Sequence, residues 1–372
     1  MEAVVPEGLS ERPVAEIASL VASLGFNCVR LTYATFTWTE DDKYASLTVE
    51  GSLRSLGLTD AVEGVRRNNP SLMGLTVRDA YEKVVDALGD ARLMVVLDNH
   101  VSFPMWCCAD NDGNGFFGDK YFDPQVWMSG LHDVADRFKG KSQEEFVLVK
   151  VKKTAMADNC TNKDELGAPM SPSDSAIKEI NSNVVGPANA ASNPTPKALF
   201  EAPTRPLPDD SGSMEPLSEY VTESTSEVVG MSMRNELRGP QQNVTAWYNY
   251  VQQGAATIHT TNPNVLVIIS GLKYDTDLSF LGSNPLPSNL DHKLVHEAHW
   301  YSFGKHHQWE TQNPGDVCSD DTNAFDQKAG FLIRPAVGRE SVPLFVSEFG
   351  VDQTGANMAD NRYFTSSNFI WS

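Results

Sequence analysis

Six short runs of apolar and β-branched residues constrain this chain more than any other feature. They are Phe26–Tyr33, Arg92–Asn99, Val228–Met233, Val265–Ser270, Leu294–Tyr301 and Val342–Phe349. A strand covered on both faces reads as a continuous apolar run, so these segments predict a parallel sheet. Helix-period patterns fall between them, at Val14–Leu24, Val77–Leu88, Val126–Phe138, Val244–Thr260 and Ala324–Ile333. Strands alternating with helices fit either a doubly wound sheet or a (β/α)8 barrel. The ends of the runs separate the two. Arg30, Asp98-Asn99-His100, Arg234-Asn235-Glu236, His299 with Tyr301, and Glu348 stand at the C-terminal ends of five different runs. A doubly wound sheet concentrates its site at one switch point, whereas a barrel draws on many strand ends at once. The predicted fold is therefore an α/β (β/α)8 barrel.

One stretch departs from this pattern. Residues 141–227 hold 9 of the 21 prolines and three aromatics, Phe146, Phe200 and Tyr220. Such a segment cannot bury enough apolar surface to offset its ordering entropy. We expect a disordered or non-homologous insert there, with 1–140 and 228–372 as two parts of one barrel. The formal charge is −20, from 29 Lys+Arg against 49 Asp+Glu, which argues against a nucleic-acid partner. No apolar run is long enough to cross a membrane. Met1 to Arg12 carries Glu2, Glu7 and Glu11 and reads as no signal peptide. Five cysteines are too few for a disulfide scaffold.

Glu236 and Glu348 are the sharpest candidates for chemistry. Each ends an apolar strand, where an ionisable side chain is costly unless it points out of the barrel mouth. Their neighbours add specificity. Met233-Arg234-Asn235-Glu236 and Ser347-Glu348-Phe349-Gly350 resemble the acid/base and nucleophile strands of glycoside hydrolase family 5, the cellulase family. Asn27-Cys28-Val29-Arg30-Leu31, Leu97-Asp98-Asn99-His100 and His299-Trp300-Tyr301 match in the same order. Trp106-Cys107-Cys108, Asp112-Gly113-Asn114-Gly115 and Arg234 to Pro240 are similar to its plant branch.

The resemblance implies a retaining glycoside hydrolase that cleaves a β-linked plant polysaccharide, a glucan or mannan, with Glu236 as acid/base and Glu348 as nucleophile. It further implies that Arg30 orients the nucleophile carboxylate and that Asn235 contacts the sugar 2-hydroxyl. His100, His299 and Tyr301 would shape the subsite around the scissile bond. Trp106, Trp300 and Trp309 are candidate stacking platforms, although aromatics near strand ends more often serve packing. No metal or organic cofactor is implied; the partner is an oligo- or polysaccharide, and the protein is expected to be a monomer. Members of the family are extracellular or in the cell wall. The family barrel also has a strand before the helix at Val14–Leu24 and another after Glu348, so strands one and eight are expected to be missing and the barrel incomplete. A catalytically inactive remnant or carbohydrate-binding pseudoenzyme is the rival reading.

Three other patterns carry less. Gly113-x-Gly115-x-x-Gly118 spells a dinucleotide fingerprint but lacks the tight strand-to-helix turn. His296-Glu297-Ala298-His299 lies on a strand, where positions three apart face opposite sides and cannot share a metal. Cys107-Cys108 has no metal-ligand spacing and reads as one end of a structural bridge, from either cysteine to Cys318.

Overall fold

In the computed structural model, residues 5–142, 227–286, 290, 292–301, 311–312, 314–334 and 341–350 are described. Six strands form one parallel sheet: β1 Cys28–Ala34, β2 Met94–Val101, β3 Val228–Ser232, β4 Leu266–Ser270, β5 Leu294–Tyr301 and β6 Leu344–Gly350. Their order in the sheet is their order in the chain. The register aligns Arg30 with Val96, Asp98 with Ser232, and His299 with Glu348. The sheet is curled, because the Arg30 side chain on β1 reaches Glu348 on β6. This is a partial (β/α)8 barrel.

Five longer helices pack outside: α1 Val14–Ser23, α2 Val77–Asp90, α3 Pro124–Arg137, α4 Val244–Thr261 and α5 Pro314–Lys328. Three begin on side-chain caps. The Thr76 hydroxyl accepts from Asp79 N, Asp123 accepts from Gln125 N and Val126 N ahead of Pro124, and Asn243 accepts from Ala246 N. Each cap satisfies amides that have no partner within the helix. The last helix lies earlier than the pattern at Ala324–Ile333 predicted, and Gly330–Leu332 forms a short 3₁₀ turn after it. Four short helices between residues 35 and 68 were not predicted. Thr35–Thr39, Asp41–Tyr44 and Val49–Ser55 run four to seven residues each, too short for a distinct periodic signal, whereas Thr59–Asn68 is as long as α1 and buries Val62 and Val65.

Alternation along the strands divides the interior. Val96, Val229, Leu266, Ile268 and Val295 form a small apolar cluster inside the curl, flanked by Cys28, Met94 and Phe345. Nearer the strand ends the inward positions turn charged: Arg30, Asp98, Glu297 and His299. The larger core lies between sheet and helices and includes Val95, Leu97, Val267 and Ile269. Trp127 and Trp247, both buried there, donate their indole N–H to Met233 O at 2.9 Å and Ser270 O at 3.0 Å. Two outer helices thereby hold the ends of β3 and β4, where the site begins.

Residues 5–13 form turns ahead of α1 rather than a strand. The expectation of missing strands also bears on residues 351–372, outside the described residues, as does the insert from 143 to 226. Its flanks meet: Glu227 N donates to Lys141 O at 3.1 Å, and Ser142 bridges Val228.

Candidate active site

Arg30 is the hub of the curled face. Its guanidinium donates to Glu348 Oε1 at 2.5 Å and to Asn235 Oδ1 at 2.8 Å. It also pairs with Asp98 Oδ1 and Glu297 Oε1, both at 3.1 Å. One side chain on β1 therefore ties β2, the end of β3, β5 and β6. Burial alone would drive a proton off Arg30, but Asp98, Glu297 and Glu348 more than offset this and hold it charged. A buried charge is tolerated only when it is paired in this way.

Glu348 sits under a set of donors. Arg30 reaches one oxygen, Tyr301 Oη donates to Oε2 at 2.9 Å, and His299 Nδ1 stands 3.6 Å away. Burial raises its pKa, but His299, Arg30 and Tyr301 outweigh that and hold the carboxyl below its ordinary value. The Tyr301 phenol is pushed up, first by burial and then by the charge of Glu348.

Glu236 faces it across His299, whose Nδ1 lies 3.1 Å from Glu236 Oε1. Glu236, His299 and Glu348 each present a polar atom within 4.8 Å of the others. Burial works against a charged His299, yet the carboxylates of Glu236, Glu297, Asp275 and Glu348 prevail and push its pKa up to about 11. Glu297 is held low, to about 2: burial opposes this, but Arg30, His299 and the Ser232 hydroxyl, 2.5 Å away, override it.

The flanking loops are built around two buried arginines. Arg234 donates to Asn99 Oδ1, Ser102 Oγ and Asn114 O and lies 3.8 Å over the Phe122 ring. Arg238 donates to Glu236 O at 2.8 Å and to Asp112 Oδ2 at 2.6 Å. The Gly113 to Gly118 stretch thus serves this loop packing, with Gly115 O accepting from Arg238 N.

The residues singled out from sequence come together here: Arg30, Asn235, Glu236, His299, Tyr301 and Glu348, with His100 held by Asp98 Oδ2 at 2.7 Å. Two expectations are corrected. Cys107 is bonded to its neighbour Cys108 rather than serving as one end of a longer bridge, and the Cys318 side chain lies outside the described residues. Both sulfurs lie 3.7 Å from Asn235 Nδ2. Trp300 is not a platform, for its ring is 7% exposed and stacks on Phe325 at 4.4 Å, on the helix side of β5. Trp106 does stand free, 72% exposed, and lines a cavity of about 430 Å³ together with Arg30, His100 and Cys107. Trp309 lies outside the described residues. Sequence reasoning missed Asp98 as the partner of Arg30, Glu297 and Asp275. All three are carboxylates fully or nearly fully buried beside cations, and only Asp98 and Glu297 carried a signal, as charged residues inside apolar runs.

The model of the family Cellulase (glycosyl hydrolase family 5) matches residues 218–369. A glycosyl hydrolase 5 family protein of Chamaecyparis obtusa is 39% identical over 363 residues, which are 98% of this chain and 50% of that protein. The chain thus spans about half the length of that curated relative. Among solved structures, the hyperthermophilic endocellulase of the archaeon Pyrococcus horikoshii superposes with a TM-score of 0.58 at 15% identity, over 98% of this chain and 76% of its own. The catalytic domain of the major endoglucanase of Xanthomonas campestris pv. campestris gives 0.56 at 16% identity, over 96% and 75%. The two structures share the fold, and the family model and the conifer relative show that this chain is similar to glycosyl hydrolase family 5, the cellulase family.

Proposed function

We propose that the protein is a retaining glycoside hydrolase acting on a β-linked glucan or mannan, with Glu348 as nucleophile and Glu236 as acid/base. The observation that carries this is the close approach of Glu236 and Glu348 across His299, with Arg30 and Tyr301 donating to Glu348. Carboxyl groups about 5–5.5 Å apart suit double displacement, whereas inversion needs about 6.5–9.5 Å to admit a water. In the first step a Glu348 oxygen bonds to the anomeric carbon as the glycosidic C–O bond breaks, and Glu236 gives its proton to the departing oxygen. In the second, water attacks that carbon, its proton passes to Glu236, and the Glu348 ester bond breaks. Asn235, fixed by Arg30 and the two sulfurs, would meet the sugar 2-hydroxyl, and Trp106 would stack on a neighbouring ring.

The substrate class is supported by the family and by the Pyrococcus horikoshii endocellulase, whose structures include complexes with cellotetraose. The Cys107–Cys108 bond fits an oxidising compartment, in line with an extracellular or cell-wall protein. The test is turnover of an aryl β-glucoside or β-mannoside oligomer by the purified chain, with proton NMR of the first-formed sugar. Retained configuration is expected. An inverted product overturns the mechanism, and polysaccharide binding without turnover favours a carbohydrate-binding pseudoenzyme.

A further inference from the structure

We propose that Asp275, on the turn after β4, is the positioning residue for Glu236, fixing its backbone and orienting the His299 ring against its carboxylate. The inference rests on the reading of Glu236 as the acid/base.

Glu236 has a φ of +46°, a left-handed conformation that is costly for any residue with a Cβ. Something must hold it there. Its N–H donates to Asp275 Oδ2 at 2.9 Å, and its C=O accepts from Arg238 at 2.8 Å, so both peptide groups are clamped by buried side chains. The clamp is itself strained. Lys273, Tyr274 and Asp275 have φ of +53°, +61° and +58°, three consecutive left-handed residues, none of them glycine.

That turn is tied down from four sides. Lys273 N donates to Gln242 Oε1, Tyr274 N to Leu237 O, and Tyr274 Oη to Asp110 Oδ1. His299 N donates to Asp275 O at 3.0 Å. These bonds connect the turn to the residues just after Glu236, to the Cys107–Cys108 loop and to β5. Strain held by so many contacts marks a functional rather than an incidental turn.

The Asp275 side chain has a second office. It is fully buried, its Oδ1 makes no hydrogen bond, and its Oδ2 stands 3.6 Å from His299 Nε2. The other ring nitrogen of His299 faces Glu236 Oε1 at 3.1 Å. Asp275, His299 and Glu236 thus form a carboxylate–imidazole–carboxylate row. Titratable groups face the ring from every element around it: Glu236 after β3, Asp275 after β4, Glu297 and the neutral Tyr301 phenol on β5, and Glu348 on β6. Arg30 on β1 and Asp98 on β2 lie behind Glu297. Burial pushes the Asp275 carboxyl well above its ordinary range and the neighbouring His299 draws it back down, so acid and ring share protonation, and replacing Asp275 takes away one of the four carboxylates that favour a protonated ring.

The experiment compares Asp275→Asn, which keeps shape and an acceptor for Glu236 N–H, with Asp275→Ala, which keeps neither. In protein labelled with ¹⁵N-histidine, the His299 ring of Asp275→Asn should lose its proton at a pH lower than in the parent by about one unit or more, a tenfold change in protonation. The alkaline limb of kcat/KM should move the same way, with KM little changed. In Asp275→Ala, kcat on an oligosaccharide should fall roughly 100-fold, the scale of general-acid assistance, while a nitrophenyl glycoside loses far less. If Asp275→Ala does not fold, the isosteric variant decides alone. An unchanged His299 titration in Asp275→Asn overturns the proposal. Failure of the parent to turn over any β-glycoside removes the catalytic reading, and the ring titration still tests the role of Asp275.

Discussion

Glu348 and Glu236 share a histidine yet have different surroundings, and that difference supports the roles proposed for them. Three donors favour the anion at Glu348, which is the state a nucleophile needs. Glu348→Ala should therefore abolish turnover for every substrate, and azide should restore part of it by yielding a glycosyl azide of inverted configuration. Glu236→Ala should spare activated substrates in the first step, and azide should then give the retained product. Product configuration by NMR checks the pair, and exchanged configurations would mean exchanged roles. The same charges set the pH range of stability. The His299 pKa is raised from 6.5 to about 11, so its contribution is full below 6.5 and is lost as pH rises through 11. Glu297 is depressed from 4.5 to about 2, so its contribution is present above 4.5 and is lost as pH falls through 2. Tm of the parent should thus decline through the alkaline range, and in His299→Asn that decline should flatten. An equally steep decline in the variant would show that other groups cause it.

The elements that position these residues meet at close quarters. Gly254 of α4 faces the Trp127 indole of α3, and a Cβ there would come within 2.5 Å of Trp127 Cη2 and 2.9 Å of Met233 Cε. Alanine gains about 1 kcal/mol of helix propensity over glycine. The indole cannot yield, because its N–H is bonded to Met233 O at the end of β3. Overpacking of about 1–3 kcal/mol should win, so Gly254→Ala is expected to lower Tm and weaken turnover together. A raised Tm would show that the indole moves freely. The strands and the polar residues at their ends were legible in the sequence, because a doubly covered strand writes a continuous apolar run and its charged terminus breaks it. The short helices between 35 and 55 were not, since a turn or two carries no period. Asp275 was equally hidden. It lies on an irregular turn among Lys273, Tyr274 and Thr276, and only the fold brings it beneath Glu236. The Cys107–Cys108 pairing also depends on local backbone geometry that spacing does not reveal.

For the molecule as a whole, the site is assembled from both sides of the stretch beyond residue 142. Arg30, Asp98 and His100 come from before it; Asn235, Glu236, Asp275, Glu297, His299, Tyr301 and Glu348 come from after it. The chain leaves and re-enters at one spot, because Glu227 N already donates to Lys141 O. Joining Lys141 to Glu227 therefore asks for a small closing movement and breaks none of the contacts of Arg30. Deleting 142–226 should leave Tm and the circular dichroism of the remaining elements unchanged within error. A large loss of Tm on deletion would show that the segment packs on the barrel.

The order of strands in the sheet has a kinetic side. Neighbours in the sheet are neighbours in the chain, so most of the sheet can grow by adding the next strand to the last. The pairing of β2 with β3 is different, for the chain between Val101 and Val228 must first close on itself. Each doubling of such a loop adds about 0.6 kcal/mol of closure entropy, a modest equilibrium term that is felt chiefly as delay. Until that closure, β1 and β2 hold Arg30 beside Asp98 while β3 to β6 hold Glu297 and Glu348 beside His299, and the pairs of Arg30 with Glu297 and Glu348 are unmade. The charged centre is in this sense the clasp of the barrel: the pairs of Arg30 with Glu297 and Glu348 form only in the step that unites the two halves.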